Sequence, residues 1–361
     1  MKINTALLVA LSISSVSLFA QNKTAPAKDQ LIFEGEKHFK NIRQLTFGGD
    51  NAEAYFSADG KAISFQRTAA EAGVPCDQIF YGVLPKSKKD KFEYKLVSTG
   101  KGRTTCAYVM PDGKHVQYAS THLGSPDCPP VPDRKVLKKY VWPIYDSYDM
   151  FVADLNGNVV KQLTNEPGYD GEGVVSPKGD KIIFTSMRNG DLDLYLMDID
   201  GGNVKQITTE LGCDGGAWFS PDGSKIVWRA SRPKTEEDVT AYKELLQQGL
   251  VMPTQMEVFV ANADGSDAKQ ITNLGQANWA PNFTPDGKHI IFASNHEYKQ
   301  GFPFNIYMVD IEGKNLKKIS RDGGFDAFPM FSPDGKKLIF SSNRNNGGTN
   351  DTNIFICDWV D

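Results

Sequence analysis

One short phrase, returning six times, constrains this chain more than any other feature. It reads Ser57-Ala58-Asp59-Gly60, Met110-Pro111-Asp112-Gly113, Ser176-Pro177-Lys178-Gly179, Ser220-Pro221-Asp222-Gly223, Thr284-Pro285-Asp286-Gly287 and Ser332-Pro333-Asp334-Gly335. Counted from Asp59 through Asp112, Lys178, Asp222, Asp286 and Asp334, the copies stand 53, 66, 44, 64 and 48 residues apart. Proline fixes φ near −65° and the glycine after it accepts a positive φ, so the phrase encodes a tight hairpin. Short β-rich runs follow each copy, such as Ile182-Ile183-Phe184 and Leu338-Ile339-Phe340, then a third run such as Leu194-Tyr195-Leu196 or Ile354-Phe355-Ile356. A fourth run reads Gln162-Leu163-Thr164, Gln206-Ile207-Thr208 and Gln270-Ile271-Thr272. Four strands per unit at this period make a blade, and the class is an all-β, six-bladed β-propeller of four-stranded blades.

The ring has to close. The last unit ends after its third strand, and a surplus outer strand, Gln44-Leu45-Thr46, precedes the first inner strand. The N-terminal strand is therefore expected to complete the sixth blade beside Ile354-Phe355-Ile356, which removes an open sheet edge. The domain boundaries that follow are a leader over 1–20, an N-terminal extension over 21–41, and the propeller over 42–361. The leader reading rests on Lys2, the nearly uncharged Ile3–Phe19 stretch and the small Ala20 after it. That is the pattern of a cleaved secretory signal. No Cys follows it, so export to the periplasm or the medium is expected rather than a lipid anchor. No later apolar run is long enough to span a bilayer.

The chain carries 40 Lys and Arg against 44 Asp and Glu, a net charge of −4. Nucleic acid needs clustered cations to displace its counterions, so it is a poor partner here. A monomer is expected. The five cysteines, Cys76, Cys106, Cys128, Cys213 and Cys357, form no Cys-x-x-Cys pair. In an oxidising compartment a disulfide is expected among Cys76, Cys106 and Cys128, with Cys357 a buried thiol.

The repeated Gln-Leu-Thr, Ser-Pro-Asp-Gly and Ile-Tyr-x-x-Asp elements resemble the propeller repeats of the TolB-like family over roughly residues 42–358. The propellers of dipeptidyl-peptidase IV and its relatives are built of similar units. The resemblance implies the fold and leaves function to be argued from the site. Hydrolysis by the peptidase relatives needs a Gly-x-Ser-x-Gly elbow, which is absent, as is His-Glu-x-x-His.

Departures from the repeat gather on one face. Blade 2 carries an insertion from about Leu123 to Ser147, with Tyr140, Trp142 and Tyr145 as candidate partner-binding aromatics; a fixed lid is the other reading. Blade 4 carries one from about Pro233 to Gln255. It holds the only convincing helix, capped by Thr235 and Asp238, with Val239, Tyr242, Leu245 and Leu246 as an apolar stripe ending at Gly249. Each inner strand begins with a polar residue: Asn51, Thr104, Asp170, Asp214, Asn278 and Asp326, with Glu53 and Glu172 two residues on in blades 1 and 3. These either cap turns or converge on the channel mouth. There Asp170, Asp214, Asp326 and Glu172 are the candidates for a divalent cation, and the whole set for a ligand amine. No cofactor is otherwise indicated. Arg188, Arg232 and Arg344 share one repeat position with His122 and His296, and Arg188 is expected to pair with an acid such as Asp193.

The leading functional expectation is an exported, non-catalytic scaffold that binds a protein or peptide partner in the cell envelope through this face. The alternatives are a metal-assisted lactonase or lyase at the channel mouth, and a peptide or glycan carrier beside a separate hydrolase.

Overall fold

The computed structural model describes residues 31–360 apart from Lys88 and Gln300, so the leader over 1–20 lies outside the described residues. Six four-stranded antiparallel sheets follow one another along the chain, each laid out from its inner strand to its outer one. The inner strands are Asp50–Phe56, Thr104–Val109, Asp170–Val175, Asp214–Phe219, Asn278–Phe283 and Asp326–Phe331. The sixth sheet takes its outer strand from the other end of the chain: Phe39–Gln44 pairs antiparallel with Asn353–Trp359, with Gln44 opposite Phe355.

The repeated phrases each have a mechanical task. In the turn phrase the Ser or Thr hydroxyl donates to the Asp two residues on, at 2.7 Å in Ser57–Asp59 and 2.6 Å in Ser332–Asp334. Lys178 stands in the Asp place of blade 3, and Ser176 instead reaches Asp180 at 2.7 Å. All six phrase glycines have φ between 64° and 72°, a region closed to most side chains. The fourth strands are shorter than the Gln-Leu-Thr runs suggest. They end at or before the Gln, as in Val159–Gln162 and Lys205–Gln206. The Thr or Ser hydroxyl then accepts the third-strand N–H that the departing strand would otherwise leave unpaired. Ser98, Thr164, Thr208, Thr272 and Ser320 do this for Ile79, Met150, Leu194, Val258 and Ile306. Thr46 does the same for Ile354, at 2.9 Å, so the N-terminal segment reproduces the motif across the closure.

Packing between blades is carried by one position of the second strand, filled by Phe65, Tyr118, Phe184, Trp228, Phe292 and Phe340. All six are fully buried. Each such ring is worth roughly 2–3 kcal/mol of apolar burial. Closure is reinforced by a buried ionic knot: Arg344 contacts Glu36 at 3.1 Å and Asp326 at 2.9 Å, with none of the three side chains exposed. Arg344 also donates to the Leu31 carbonyl, tying the segment before the closing strand to blade 6.

The helix of the blade 4 insertion spans Glu236–Gln247. Its capping box joins Thr235 and Asp238, and Tyr242, Leu245 and Leu246 are buried. The blade 2 insertion contains one further short helix, Arg134–Leu137, where the proline-rich sequence suggests extended chain. Among the described residues no helix is long and apolar enough to cross a membrane.

Candidate functional site

Each inner strand carries a β-bulge, and the bulge decides what faces the channel. The ladder slips between Ala52 and Tyr55, Thr105 and Tyr108, Gly171 and Val174, Gly215 and Trp218, Trp279 and Asn282, and Ala327 and Met330. Within each slip sits a residue with φ between 47° and 61°: Glu53, Cys106, Glu172, Gly216, Ala280 and Phe328. A bulge re-aims a side chain out of the sheet's alternation. Here all six line one cavity of about 1880 Å³. Blades 1 to 3 contribute a carboxyl, a thiol and a carboxyl to the ring, whereas blades 5 and 6 contribute a methyl and a phenyl.

The polar residues that open the inner strands do not line this cavity; they are buried inside the blades. Asp170 pairs with Arg188 at 3.0 Å, Asp214 with Arg232 at 2.8 Å and Asp326 with Arg344. Arg188 thus takes the acid of the inner strand, while Asp193 accepts from Gln206 of the fourth strand and from Thr208 just past its end. Asn51 accepts from Arg67 at 2.6 Å, Asn278 accepts from Ser294, and Thr104 donates to the Asp77 carbonyl. Burial pushes Asp214 up to about 7, against the opposing pull of Arg232 and the Trp228 indole. Asp170, Asp214 and Asp326 are each committed to their own arginine in separate blades. With Glu172, they form no common donor set, and no cluster of three His, Cys, Asp or Glu able to hold a metal occurs among the described residues.

Glu172 is the matched carboxylate of the cavity. Arg229 meets one oxygen at 2.5 Å, while the Thr185 hydroxyl and the Gly216 N–H donate to the other at 2.8 Å each. Burial works against this carboxylate, but those donors outweigh it and hold its pKa below the ordinary value. Blade 4 has glycine in the ring because Arg229 needs the room. A Cβ on Gly216 would lie 1.9 Å from Nη1 of Arg229. Glu53 is the unmatched one. Burial, with the Glu172 charge adding to it, pushes its carboxyl up to about 7 despite help from Cys106 and Arg229. Burial likewise holds the Cys106 thiol well above its ordinary pKa. Tyr55 and Trp218 make an edge-to-face pair beside this corner, 4.7 Å between centroids.

The two insertions form a roof. Trp142–Pro143 of blade 2 pairs with Leu250–Val251 of blade 4 as a two-stranded sheet, and the Ile144 N–H donates to the Gly249 carbonyl. Trp142 packs against Trp279 of blade 5 at 5.2 Å and under the Arg229 guanidinium at 5.3 Å. Tyr140 stacks on Trp279 at 6.2 Å, and Tyr145 donates to the Pro130 carbonyl. From Trp279 an aromatic wall continues through Phe304, Phe302 and Phe325 to Phe328. A disulfide between Cys76 and Cys128 fastens the blade 2 insertion to blade 1, while Cys106, Cys213 and Cys357 are free. Tyr140, Trp142 and Tyr145 therefore line the cavity together with the bulge ring, and Asn51, Asp170, Asp214, Asn278 and Asp326 do not. Sequence reasoning passed over Arg229, Trp218 and Trp279. Gly216 of blade 4, at a position where the other five blades carry side chains, was the available signal for a large residue lying against it.

A family model described as the TolB beta propeller domain matches residues 132–250 and 251–355. No curated protein matches the chain. Among solved structures, a putative TolB from Agrobacterium tumefaciens is similar at 17% identity and a TM-score of 0.53, covering 89% of this chain and 97% of that one. TolB from Acinetobacter baumannii is similar at 18% identity and a TM-score of 0.50, covering 86% of this chain and 64% of the other. An oligogalacturonate lyase from Vibrio parahaemolyticus is similar at 15% identity and a TM-score of 0.52, covering 87% and 79%. At these identities the likeness is one of fold.

Proposed function

The chain belongs to the TolB β-propeller family, and we propose that within it this protein is an exported, non-catalytic scaffold that binds a protein or peptide partner in the cell envelope. The observation that carries this reading is the roofed cavity of about 1880 Å³, lined on one side by charged groups and on the other by stacked aromatic rings. Aromatic anchors in a concave, partly desolvated site supply binding energy, and fixed charges beside them set orientation. An extended segment of a partner fits that combination. Crosslinking in intact cells, followed by mass spectrometry, identifies what is captured. Trp142→Ala should abolish capture with little change in thermal midpoint. Capture by the folded fraction that survives the substitution would return Trp142 to a purely structural role and remove the cavity from the proposal.

A second reading, acid–base chemistry of the lyase or lactonase kind, draws support from the Glu53 carboxyl, poised at about 7 as a general acid or base should be. Its metal-assisted form fits poorly, because Asp170, Asp214, Asp326 and Glu172 each pair with an arginine in place of a cation. Metal analysis of the purified protein tests that metal-assisted form. A tightly held stoichiometric divalent cation would favour the enzyme.

A further inference from the structure

Three features of the cavity concern charge balance rather than shape. Glu172 and Arg229 neutralise each other, and Arg229 spends its open face on the Trp142 ring. Asp77 and Arg103, also in the lining, form their own pair at 2.5 Å. Glu53 has no such partner: among the described residues no Lys or Arg lies within salt-bridge distance, and it is met only by neutral donors, the Cys106 thiol and the Tyr55 hydroxyl at 3.4 Å. An ionised Glu53 therefore leaves one negative charge uncompensated in a recess walled by Tyr55 and Trp218. An unpaired charge away from water is costly, and a ligand that supplies the opposite charge recovers that cost.

Resting on the reading of this cavity as a partner-binding site, we infer that its ligand carries an organic cation, an amine or guanidinium, that pairs with Glu53 against the rings of Tyr55 and Trp218. A hard metal ion wants six or more oxygens, and among the described residues no group of three His, Cys, Asp or Glu able to hold one occurs, Glu172 and Asp77 being taken by their own arginines. The phenol of Tyr55 and the indole of Trp218 wall the recess instead. Those aromatic groups suit an organic cation, whose charge is attracted to ring faces and whose carbon stem packs against them. On the same side of the ring, Phe328 of the adjacent blade 6 and Ala280 of blade 5 give apolar contact, so the cation should sit next to a hydrophobic group. A basic residue flanked by apolar ones in a peptide has that chemistry. Glu53 is faced by Glu172, Arg229, Asp77, Cys106 and Tyr55, and its carboxyl titrates near 7. The cation should therefore bind less well as the carboxyl gains its proton.

The test uses the whole mature protein and two probes of one shape, 2-phenylethylamine and the neutral 2-phenylethanol, titrated by protein-observed NMR. The amine is expected to bind at least about tenfold tighter than the alcohol at about pH 8. Its affinity should fall roughly tenfold by about pH 6, while that of the alcohol stays flat. Glu53→Gln should erase the preference and keep alcohol binding; if that variant fails to fold, the wild-type pH profile decides alone. Equal binding of the two probes, binding of neither, or a preference that survives in Glu53→Gln overturns the inference. Partner capture that depends on Trp142, found together with indifferent probes, would sink this inference and leave the partner-binding reading standing. Discriminating probes with no partner captured would do the reverse.

Discussion

Replacing Arg344 by methionine tests how the ring is locked. The arginine is fully buried and holds two carboxylates, Glu36 from the N-terminal segment and Asp326 from the innermost strand of blade 6, neither of them exposed. It also donates to the Leu31 carbonyl at 2.7 Å and bonds to Ser342, and its plane lies over the rings of Phe33 and Phe340. Methionine keeps most of the apolar stem and removes the charge. Two carboxylates are then stranded in the interior, which costs roughly 3–5 kcal/mol when one partner of a buried ion pair is deleted. Against a total stability of about 5–15 kcal/mol, that is a large fraction. Denaturant unfolding at neutral pH should show the loss as a shift in midpoint, and proteolysis should begin ahead of Phe39. The loss should shrink as the pH is lowered toward about 5, because a proton on a stranded carboxylate removes the unpaired charge. Asp322 beside this group already shows the tendency, since burial and the Asp326 charge push its carboxyl up to about 7. A change below about 1 kcal/mol, or a penalty that does not move with pH, would refute the claim that this knot holds the closure.

Other expectations follow from the same geometry. Cys128→Ser frees the blade 2 insertion from blade 1. The loop the disulfide closes, with a sequence separation of 52, gives a ceiling near 4 kcal/mol for the stability lost, and calorimetry should read a clear fall in thermal midpoint. Gly216→Ala places a methyl on the Arg229 guanidinium and a side chain at φ +61°, so it should break the Arg229–Glu172 pair; a crystal structure with that pair intact would count against the packing argument. Glu53→Gln should stabilise the protein at about pH 8, by on the order of 3 kcal/mol, and have little effect at about pH 4. The native carboxyl titrates near 7 rather than the ordinary 4.5, so the folded state holds the extra proton between those values. Wild-type stability therefore declines as pH rises through the window, while glutamine does not titrate. Equal stability of the two proteins at both pH values, by urea unfolding, would remove the premise of an uncompensated charge.

The repeat was fully legible in the sequence because its signals are local. Pro-Asp-Gly specifies its turn within four residues, and the hydroxyl of Gln-Leu-Thr closes a hydrogen bond that each blade must make. Six copies plus one surplus outer strand leave a single closed arrangement, and Phe39–Gln44 beside Asn353–Trp359 is that arrangement. The capped helix of blade 4 was legible for the same reason: its box and its stripe lie within one short segment.

The site depended on tertiary structure. Simple alternation from Asp170 or Asp214 gives no warning that a bulge lies two residues further on, and the bulge sends Glu172 and Gly216 into the channel while the opening aspartates stay inside the blades. Whether an aspartate is free or paired depends on Arg188, Arg232 and Arg344, which meet it across the blade, about 18 residues away in the chain. The roof needs Trp142 and Leu250–Val251, from insertions about a hundred residues apart, to pair over the channel. Local sequence thus determined the strands, turns and closing segment of this protein, since those rest on bonds between near neighbours. Only the tertiary structure decided which charges are left unmatched, because the partners of a charge are chosen by the ring's closure and not by its own segment.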